Sequence, residues 1–94
     1  MSLQFEWDSK KAQNNIKKHG ISFDEACTAF KDPLSKTILD PLHSDSEERY
    51  ILMGLSFRGQ LLIISHTEKK SNIRIISARN ATKKERKYYE NNEK

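Results

Sequence analysis

The chain is poor in cysteine and has no long apolar run, and each absence excludes a class of protein. Its only cysteine, Cys27, cannot form an intrachain disulfide, and with three scattered histidines it does not make a zinc site. No apolar stretch approaches the roughly 20 residues that span a bilayer. The opening residues, MSLQFEWD, lack the basic and apolar regions of a secretory signal. We therefore expect a cytoplasmic protein without a membrane segment, a metal or another cofactor.

Short catalytic motifs are also missing. The sequence contains no P-loop, GxSxG, CxxC or HExxH pattern, and no internal repeat, linker or low-complexity segment. Its 94 residues are 35% hydrophobic and 32% charged, a composition that is polar but still globular. This length predicts a single small domain over residues 1–94, with a core over about 3–90.

Charge is distributed unevenly along the chain. From Arg49 to the end, 11 Lys and Arg residues stand against 4 Asp and Glu residues, a difference of +7. From Met1 to Glu48 the counts are 6 and 9, a difference of −3, so the halves sum to the net charge of +4. A cationic field of this kind attracts phosphate backbones without sequence preference. The same lysines can also simply solvate a surface helix.

Two helices are predicted in the first third of the chain. Asp8 is suited to cap a helix over 9–18, and Gly20 follows its expected end. Ser22 and Glu25 form a capping box, S-x-x-E, for a second helix that ends near Lys31. The apolar residues of this second helix share one face: Phe23, Ala26, Cys27 and Phe30. Cys27 is therefore interpreted as a core residue and not as a nucleophile.

The remaining pattern predicts strands and a last helix. Short strands are indicated over 3–7 and 37–39, and three longer ones over 49–56, 60–67 and 72–79 form a meander. A second capping box opens a basic helix over 81–90. The sequence thus predicts an α+β fold, in which two N-terminal helices pack on a four- to five-stranded, mostly antiparallel sheet and a C-terminal helix closes it.

Candidate site residues lie at the start of the first strand of the meander and at the end of its last strand. Arg79 ends the last strand where the basic helix begins, and Arg74 precedes it in that strand. An arginine beside a helix N-terminus makes a phosphate clamp. Alternatively, Arg79 pairs with an acidic residue such as Asp32 or Glu48 for structure. Glu48 and Arg49 open the first strand of the meander, either as an acid–base and phosphate pair or as an ordinary ion pair.

Histidines and the basic helix provide further candidates. By alternation His66 shares a face with Leu62 and Ile64, so it is either a satisfied core residue or an acid–base group. His19 lies at a helix end and His43 in a polar loop over 40–48. In the last helix, basic residues that can hold phosphates alternate with rings that can stack on bases: Lys83, Lys84, Arg86, Lys87, Tyr88 and Tyr89. Tyr89 can equally anchor this helix to the sheet.

Six segments, in order, carry a family resemblance. They are FEWD (5–8), KKHGISFDEA (17–26), FKDPL (30–34), the loop with His43 and Glu47-Glu48-Arg49, SHTE (65–68) and IRIISARNATKKERKYYE (73–90). Together they resemble the BrnT family of toxins from type II toxin–antitoxin systems. The resemblance covers about 5–90 of the chain, and its order and spacing are far more specific than any single motif.

The resemblance implies a fold, an activity and a partner. Such toxins have a compact α+β fold similar to RelE ribonucleases, cut RNA and block translation. Each is neutralised by a BrnA-like antitoxin with a ribbon-helix-helix DNA-binding part, so that operator DNA is bound only through the antitoxin in a hetero-oligomer. By position, Arg79 and Tyr89 match the kind of residue that basic, metal-free RelE-like sites use.

Metal-free RNA cleavage needs a base for the 2′-hydroxyl, a cation for the phosphate and an acid for the leaving oxygen, and the cation contribution is usually the largest. We therefore expect catalytic roles for Arg79, Arg49, Glu48, His66 and Tyr89. RNA-binding roles are expected for Lys17, Lys18, Arg74, Lys83, Lys84 and Arg86. Two alternatives are a non-catalytic nucleic-acid-binding module and a basic protein-interaction domain.

Overall fold

The structure, a computed structural model, describes residues 3–42 and 47–91. In chain order the elements are β1 (Gln4–Glu6), α1 (Ser9–His19), α2 (Phe23–Ala29), β2 (Lys36–Leu39), β3 (Arg49–Leu55), β4 (Leu61–Lys69), β5 (Asn72–Asn80) and α3 (Lys83–Asn91). None of the helices within the described ranges is long and apolar enough to cross a membrane.

The strands form one five-stranded sheet in the order β1-β5-β4-β3-β2. β1 pairs with β5 in parallel, and the other three pairings are antiparallel. The predicted meander is therefore confirmed as β3-β4-β5, and the mostly antiparallel α+β fold is confirmed with it. β4 lies at the centre, between β5 and β3, and its run Leu61–Ile64 is buried throughout.

α1 begins and ends as its flanking residues predict. The Asp8 side chain accepts a hydrogen bond from the backbone N–H of Lys10 at 3.4 Å. Gly20 adopts a left-handed conformation with φ 72°, and its N–H reaches the carbonyl of Ile16. A left-handed residue after the last turn satisfies helix carbonyls at no steric cost when it is glycine.

α2 differs from the predicted capping box in one respect. The Ser22 hydroxyl accepts from the Glu25 N–H at 3.0 Å, as predicted. The Glu25 side chain, however, does not return to the helix start; it accepts from the Ser56 hydroxyl at 2.7 Å and from the Gln60 amide at 2.9 Å. Both donors lie in the turn between β3 and β4, so their hydrogen bonds satisfy this buried carboxylate and connect α2 to that turn.

The helices α1 and α2 cover one face of the sheet, which we call the covered face. Its buried apolar residues form one core cluster: Ile21, Phe23, Ala26, Ala29, Leu52, Leu62, Ile64, Ile73, Ile75 and Ala78. Cys27 packs against this cluster. Burial, followed by the charge of Asp24, raises the pKa of its thiol from 9.0 to about 11, which fits the predicted core role and disfavours a thiolate.

A bulge in β5 decides which side chains reach the other face, the open face. His66 pairs with Ile75 but Ser65 pairs with Ser77, so Ile76 is an extra residue. Strict alternation from Ile73 and Ile75 would turn Arg79 toward the covered face. The extra residue shifts the alternation by one, and Arg79 lies on the open face instead.

Asn15 of α1 holds the backbone next to this bulge. Its amide nitrogen donates to the carbonyls of Ile21 at 2.9 Å and Ala78 at 2.8 Å, and its oxygen accepts from the Ala78 N–H at 3.1 Å. β1 pairs with β5 only at Asn72, Ile73 and Arg74. Asn15 therefore satisfies the edge of β5 beyond the end of β1, where buried backbone groups need a partner.

Candidate functional site

A shallow groove of about 370 Å³ lies on the open face of the sheet. Its lining combines cations, one carboxylate, hydroxyls and apolar side chains: Asp40, Leu42, Arg49, Ile51, Ile63, Ser65, Ile76, Ser77 and Arg79. The strand pairings explain the assembly, since Ile51, Ser65 and Ser77 form one cross-strand row and Ile63 pairs with Arg79. The groove therefore brings together Arg49 and Arg79, which are 30 positions apart in the sequence.

Arg79 is held by the start of α3. Its Nη1 and Nη2 atoms each donate to a different carboxylate oxygen of Glu85 at 2.9 Å. Glu85 also accepts from the Thr82 N–H at 2.8 Å, while its own N–H donates to the Thr82 hydroxyl at 3.1 Å. The second capping box is thus complete. The hydrogen bond from Arg79 lowers the pKa of Glu85 to about 2, and the same bond raises the pKa of Arg79.

Asp40 is a carboxylate of the groove that the sequence analysis did not single out. It is 6% exposed, and one oxygen accepts from the Leu42 N–H at 3.0 Å. Its backbone N–H donates to the carbonyl of Arg49 at 2.8 Å, so the end of β2 is fixed beside the start of β3. In the sequence Asp40 is one residue of the polar loop over 40–48, and only the pairing of β2 with β3 places it in the groove with Arg49.

His66 lies on the covered face and not in the groove. Its side chain is 0% exposed, its ring is T-shaped to Phe30 at 4.9 Å, and it stacks on Tyr50 at 5.9 Å between centroids. Nε2 lies 2.9 Å from a carboxylate oxygen of Glu68. This is the geometry of a core histidine with a hydrogen-bond partner, which was one of the two interpretations of the sequence.

Glu48 and Arg74 lie outside the groove. Glu48 accepts from the Tyr50 hydroxyl at 3.1 Å, and this bond raises the pKa of Tyr50. Arg74 donates through Nη2 to both carboxylate oxygens of Glu47 at 2.8 Å. Glu48 precedes β3 and binds Tyr50, whereas Arg49, the first residue of β3, lines the groove. The structure therefore separates these two sequence neighbours.

Tyr89 anchors α3. It is 6% exposed, its hydroxyl donates to Asp32, and its ring lies 5.8 Å from the Lys36 ammonium. Although burial acts in the other direction, the bonds from Tyr89 and from the backbone of Leu55 and Leu34 lower the pKa of Asp32. α3 therefore starts beside Arg79 and reaches the segment before β2. Asp32, expected as one possible partner of Arg79, binds Tyr89 instead.

The predicted RNA-binding lysines lie on two separate surfaces. Lys83, Lys84, Arg86 and Lys87 are exposed along α3, with Arg86 3.9 Å from Glu90. Lys17 and Lys18 are exposed at the end of α1, on the covered side of the sheet. His19 is half-buried beside them, and His43 lies outside the described residues. Over 3–42 and 47–91, no three His, Cys, Asp or Glu side chains are grouped to hold a metal ion.

Comparison with known proteins decides the family. The model of the family described as "Ribonuclease toxin, BrnT, of type II toxin-antitoxin system" matches residues 7–85, well over half of the chain. The chain belongs to the BrnT family. The predicted resemblance is confirmed, and with it the activity class, an endoribonuclease toxin. As a type II toxin, this BrnT protein has an antitoxin partner.

A solved structure has the same BrnT fold. The crystal structure of the Brucella abortus ribonuclease toxin BrnT matches with a TM-score of 0.65, at 24% identity, over 87% of this chain and 100% of that one. At this identity the likeness establishes the fold alone. A comparison with curated protein sequences gave no significant match.

Proposed function

We propose that this BrnT toxin cleaves RNA in the groove on the open face, without a metal ion, by using the 2′-hydroxyl of RNA as the nucleophile. The observation that carries the proposal is that Arg49 and Arg79, from different strands, line one groove together with the carboxylate of Asp40. Charge stabilisation of the phosphate is the largest requirement of this reaction, and two guanidinium groups meet it.

The chemical step follows from these groups. Asp40 takes the proton of the 2′-hydroxyl, whose oxygen attacks the adjacent phosphorus. Arg79 and Arg49 neutralise the charge that gathers on the phosphate oxygens. The bond to the 5′-oxygen breaks, and that oxygen takes a proton from solvent at the open mouth of the groove. The products are a 2′,3′-cyclic phosphate and a free 5′-hydroxyl.

The other predicted catalytic residues take supporting positions in this proposal. His66 and Tyr89 do not line the groove, and each side chain is bonded to a neighbouring carboxylate. Glu48 binds Tyr50. All three therefore stabilise the fold around the groove, and none of them contacts RNA.

RNA approaches the groove along α3. The exposed cations Lys83, Lys84, Arg86 and Lys87 continue from the position of Arg79, and they contact phosphates without reading sequence. Arg74 extends the basic surface along β5, at 40% side-chain exposure. Lys17 and Lys18 lie beyond the opposite side of the sheet, so they contribute to the general field and do not contact the cleaved strand.

Membership of the BrnT family supports a proposed cellular role. We infer that cleavage of RNA in the cytoplasm blocks translation and arrests growth. The antitoxin is a BrnA-like protein with a ribbon-helix-helix part, and the hetero-oligomer binds operator DNA only through it. An acidic segment of the antitoxin suits the basic half of this chain, since opposite potentials steer association.

Product analysis tests the reaction. The purified chain, incubated with RNA in EDTA, is expected to release fragments that end in a 2′,3′-cyclic phosphate. A substrate with a single 2′-deoxy nucleotide at the cleaved position should stay intact, because the nucleophile is missing. Loss of cutting in EDTA, or cutting of the 2′-deoxy substrate, would refute the mechanism.

Variants test the groove. Asp40→Asn and Arg49→Ala should both lower the cleavage rate of folded protein, by roughly 100-fold each if they act as base and cation. Arg58→Ala provides the matched control, because this exposed arginine lies on the turn between β3 and β4, outside the groove lining. Equal activity of Arg49→Ala and Arg58→Ala would place the reaction elsewhere.

A further inference from the structure

Arg79 uses one end of its guanidinium for contacts within the protein. Nη1 and Nη2 bind the Glu85 carboxylate at 2.9 Å, and Nη1 also donates to the Asn80 carbonyl at 3.1 Å. A guanidinium has five N–H groups in a rigid plane. Three of them are therefore occupied. Among the described residues, no acceptor is in contact with the other two, the N–H of Nε and the outer N–H of Nη2.

The two remaining N–H groups lie side by side along one edge of the guanidinium. Such an edge matches two oxygens of one phosphate, which is the bidentate geometry that arginine favours. The Arg79 side chain is 41% exposed and lines the groove, so this edge is accessible to a ligand.

The position of Glu85 is fixed independently of Arg79. Its carboxylate accepts from the Thr82 N–H, and its N–H donates to the Thr82 hydroxyl, so the first turn of α3 sets where the carboxylate lies. The carboxylate is 29% exposed, and it faces Arg79 as a two-pronged acceptor. The capping box thus holds the arginine in one orientation.

We propose that Glu85 is a positioning residue of the ribonuclease: it holds Arg79 so that the edge formed by Nε and Nη2 faces the phosphate of RNA in the groove. This inference rests on the proposed function, since it assumes that Arg79 contacts the reacting phosphate. It adds a residue to the site that never touches RNA.

Steady-state kinetics of Glu85→Gln test the proposal. Glutamine cannot accept both guanidinium N–H groups, so Arg79 loses its fixed orientation, and kcat per folded molecule should fall on the order of 10- to 100-fold. KM should stay the same or decrease, because a negative charge beside the RNA is removed. Glu85→Asp, which keeps the charge on a shorter side chain, should recover part of kcat.

Glu90→Gln is the matched control. It removes the same charge from the same helix, but Glu90 pairs with Arg86 at 3.9 Å and does not contact Arg79. Its kcat should equal that of the wild type. A purely structural role of Glu85 would lower the melting temperature and leave kcat per folded molecule unchanged, and a role as a competitor of RNA would raise kcat/KM.

A spectroscopic signal of Arg79 gives a second readout that does not depend on cleavage. The nitrogen and proton resonances of Arg79 Nε should shift when a 2′-O-methyl RNA, which cannot be cleaved, is added to the wild type. In Glu85→Gln the same resonance should be broadened before RNA is added.

Two outcomes overturn the inference and are distinguishable. If Glu85→Gln and Glu90→Gln have the same kcat while Arg79→Ala is inactive, Glu85 has no positioning role and the proposed function stands. If Arg79→Ala retains full activity, the proposed site itself is wrong and the inference fails with it.

Discussion

The covered face and the open face of one sheet use their polar residues in opposite ways. On the covered face even His66 is fully buried and bonded to Glu68, and it packs between Phe30 and Tyr50. On the open face, Arg49 and Arg79 line an accessible groove above apolar strand residues. Neighbours in sequence are divided between the faces, as Arg49 and Tyr50 show. In this small fold, the face under the helices holds the core cluster, and the other face carries the groove in which we propose that the chemistry takes place.

The two faces depend on each other through β5. Ala78 is fully buried on the covered face and Arg79, its neighbour, lines the groove. Asn15 binds both backbone groups of Ala78, next to the bulge at Ile76. A contact on the covered side therefore holds the backbone next to an open-face arginine, so a substitution on either face can affect the groove.

The largest expected effect comes from a core residue of the covered face. Phe23 is 2% exposed, and its ring is T-shaped to Trp7 at 5.9 Å. Phe23→Ala should lower the free energy of unfolding by roughly 3–5 kcal/mol, enough to unfold most of a domain this small. Urea denaturation measures the change. Phe57→Ala is the control, since Phe57 is 73% exposed, and a similar loss in both variants would contradict the assignment of the core.

Asn15→Ala should have the next largest effect. It leaves buried backbone groups of Ala78 and Ile21 without partners, at a cost of about 1–3 kcal/mol for each unpaired group. Because the bulge is no longer held, cleavage per folded molecule should fall as well. Asn14→Ala, at the exposed neighbouring position, should change neither the melting temperature nor the activity. If folded Asn15→Ala cleaves RNA at the wild-type rate, the bulge does not contribute to the activity of the groove.

Acid stability should depend on Glu85. Its pKa is lowered from 4.5 to about 2 in the folded protein. A carboxyl group whose pKa is depressed on folding stabilises the protein above its unfolded pKa, and this contribution is lost as the pH falls through the folded pKa. As the pH falls from 4.5 to about 2, the melting temperature of Glu85→Gln should therefore decrease less than that of the wild type. Thermal melts across this range are the measurement, and an unchanged profile would contradict the ion pair.

The smallest expected effect concerns single cations of α3. Lys84 is exposed, and we expect it to make one phosphate contact with RNA. Lys84→Ala should weaken binding of an uncleavable RNA only a few-fold, and it should reduce the slope of log affinity against log salt by about 0.7. Lys10→Ala, on α1, is the control and should leave the slope unchanged. If Lys84→Ala leaves the slope of log affinity against log salt unchanged, RNA does not contact α3 at this position.

Local sequence signals predicted most of the fold, because they act over a few residues. Asp8, Gly20 and the Thr82–Glu85 capping box mark helix ends that the structure confirms. The bulge at Ile76 could not be predicted in the same way, because an extra residue in a strand depends on pairing with β4 and on Asn15, 63 positions before Ala78. In sequence, Asn15 is one polar residue of a surface helix.

The sequence likewise indicated the residues of the candidate site that local signals mark, but not those that only strand pairing brings to the groove. Arg49 and Arg79 were singled out by their places at strand ends, and the structure brings them to one groove. Glu48 was singled out beside Arg49 at the start of a strand, and His66 for its place in an apolar strand, but the structure places neither side chain in the groove. Asp40 was overlooked because nothing local marks it, and only the pairing of β2 with β3 brings it beside Arg49.

The most direct test of the division between the faces compares Arg79→Ala with His66→Ala in one experiment. The measurement is the RNA cleavage rate per folded molecule, with the folded fraction taken from thermal melts. Arg79→Ala should stay folded, with a melting temperature lowered only by the loss of its ion pair with Glu85, and should cleave on the order of 100- to 1000-fold more slowly. His66→Ala should melt lower and cleave at the wild-type rate per folded molecule. If His66→Ala is folded but inactive while Arg79→Ala is fully active, the reaction does not take place on the open face.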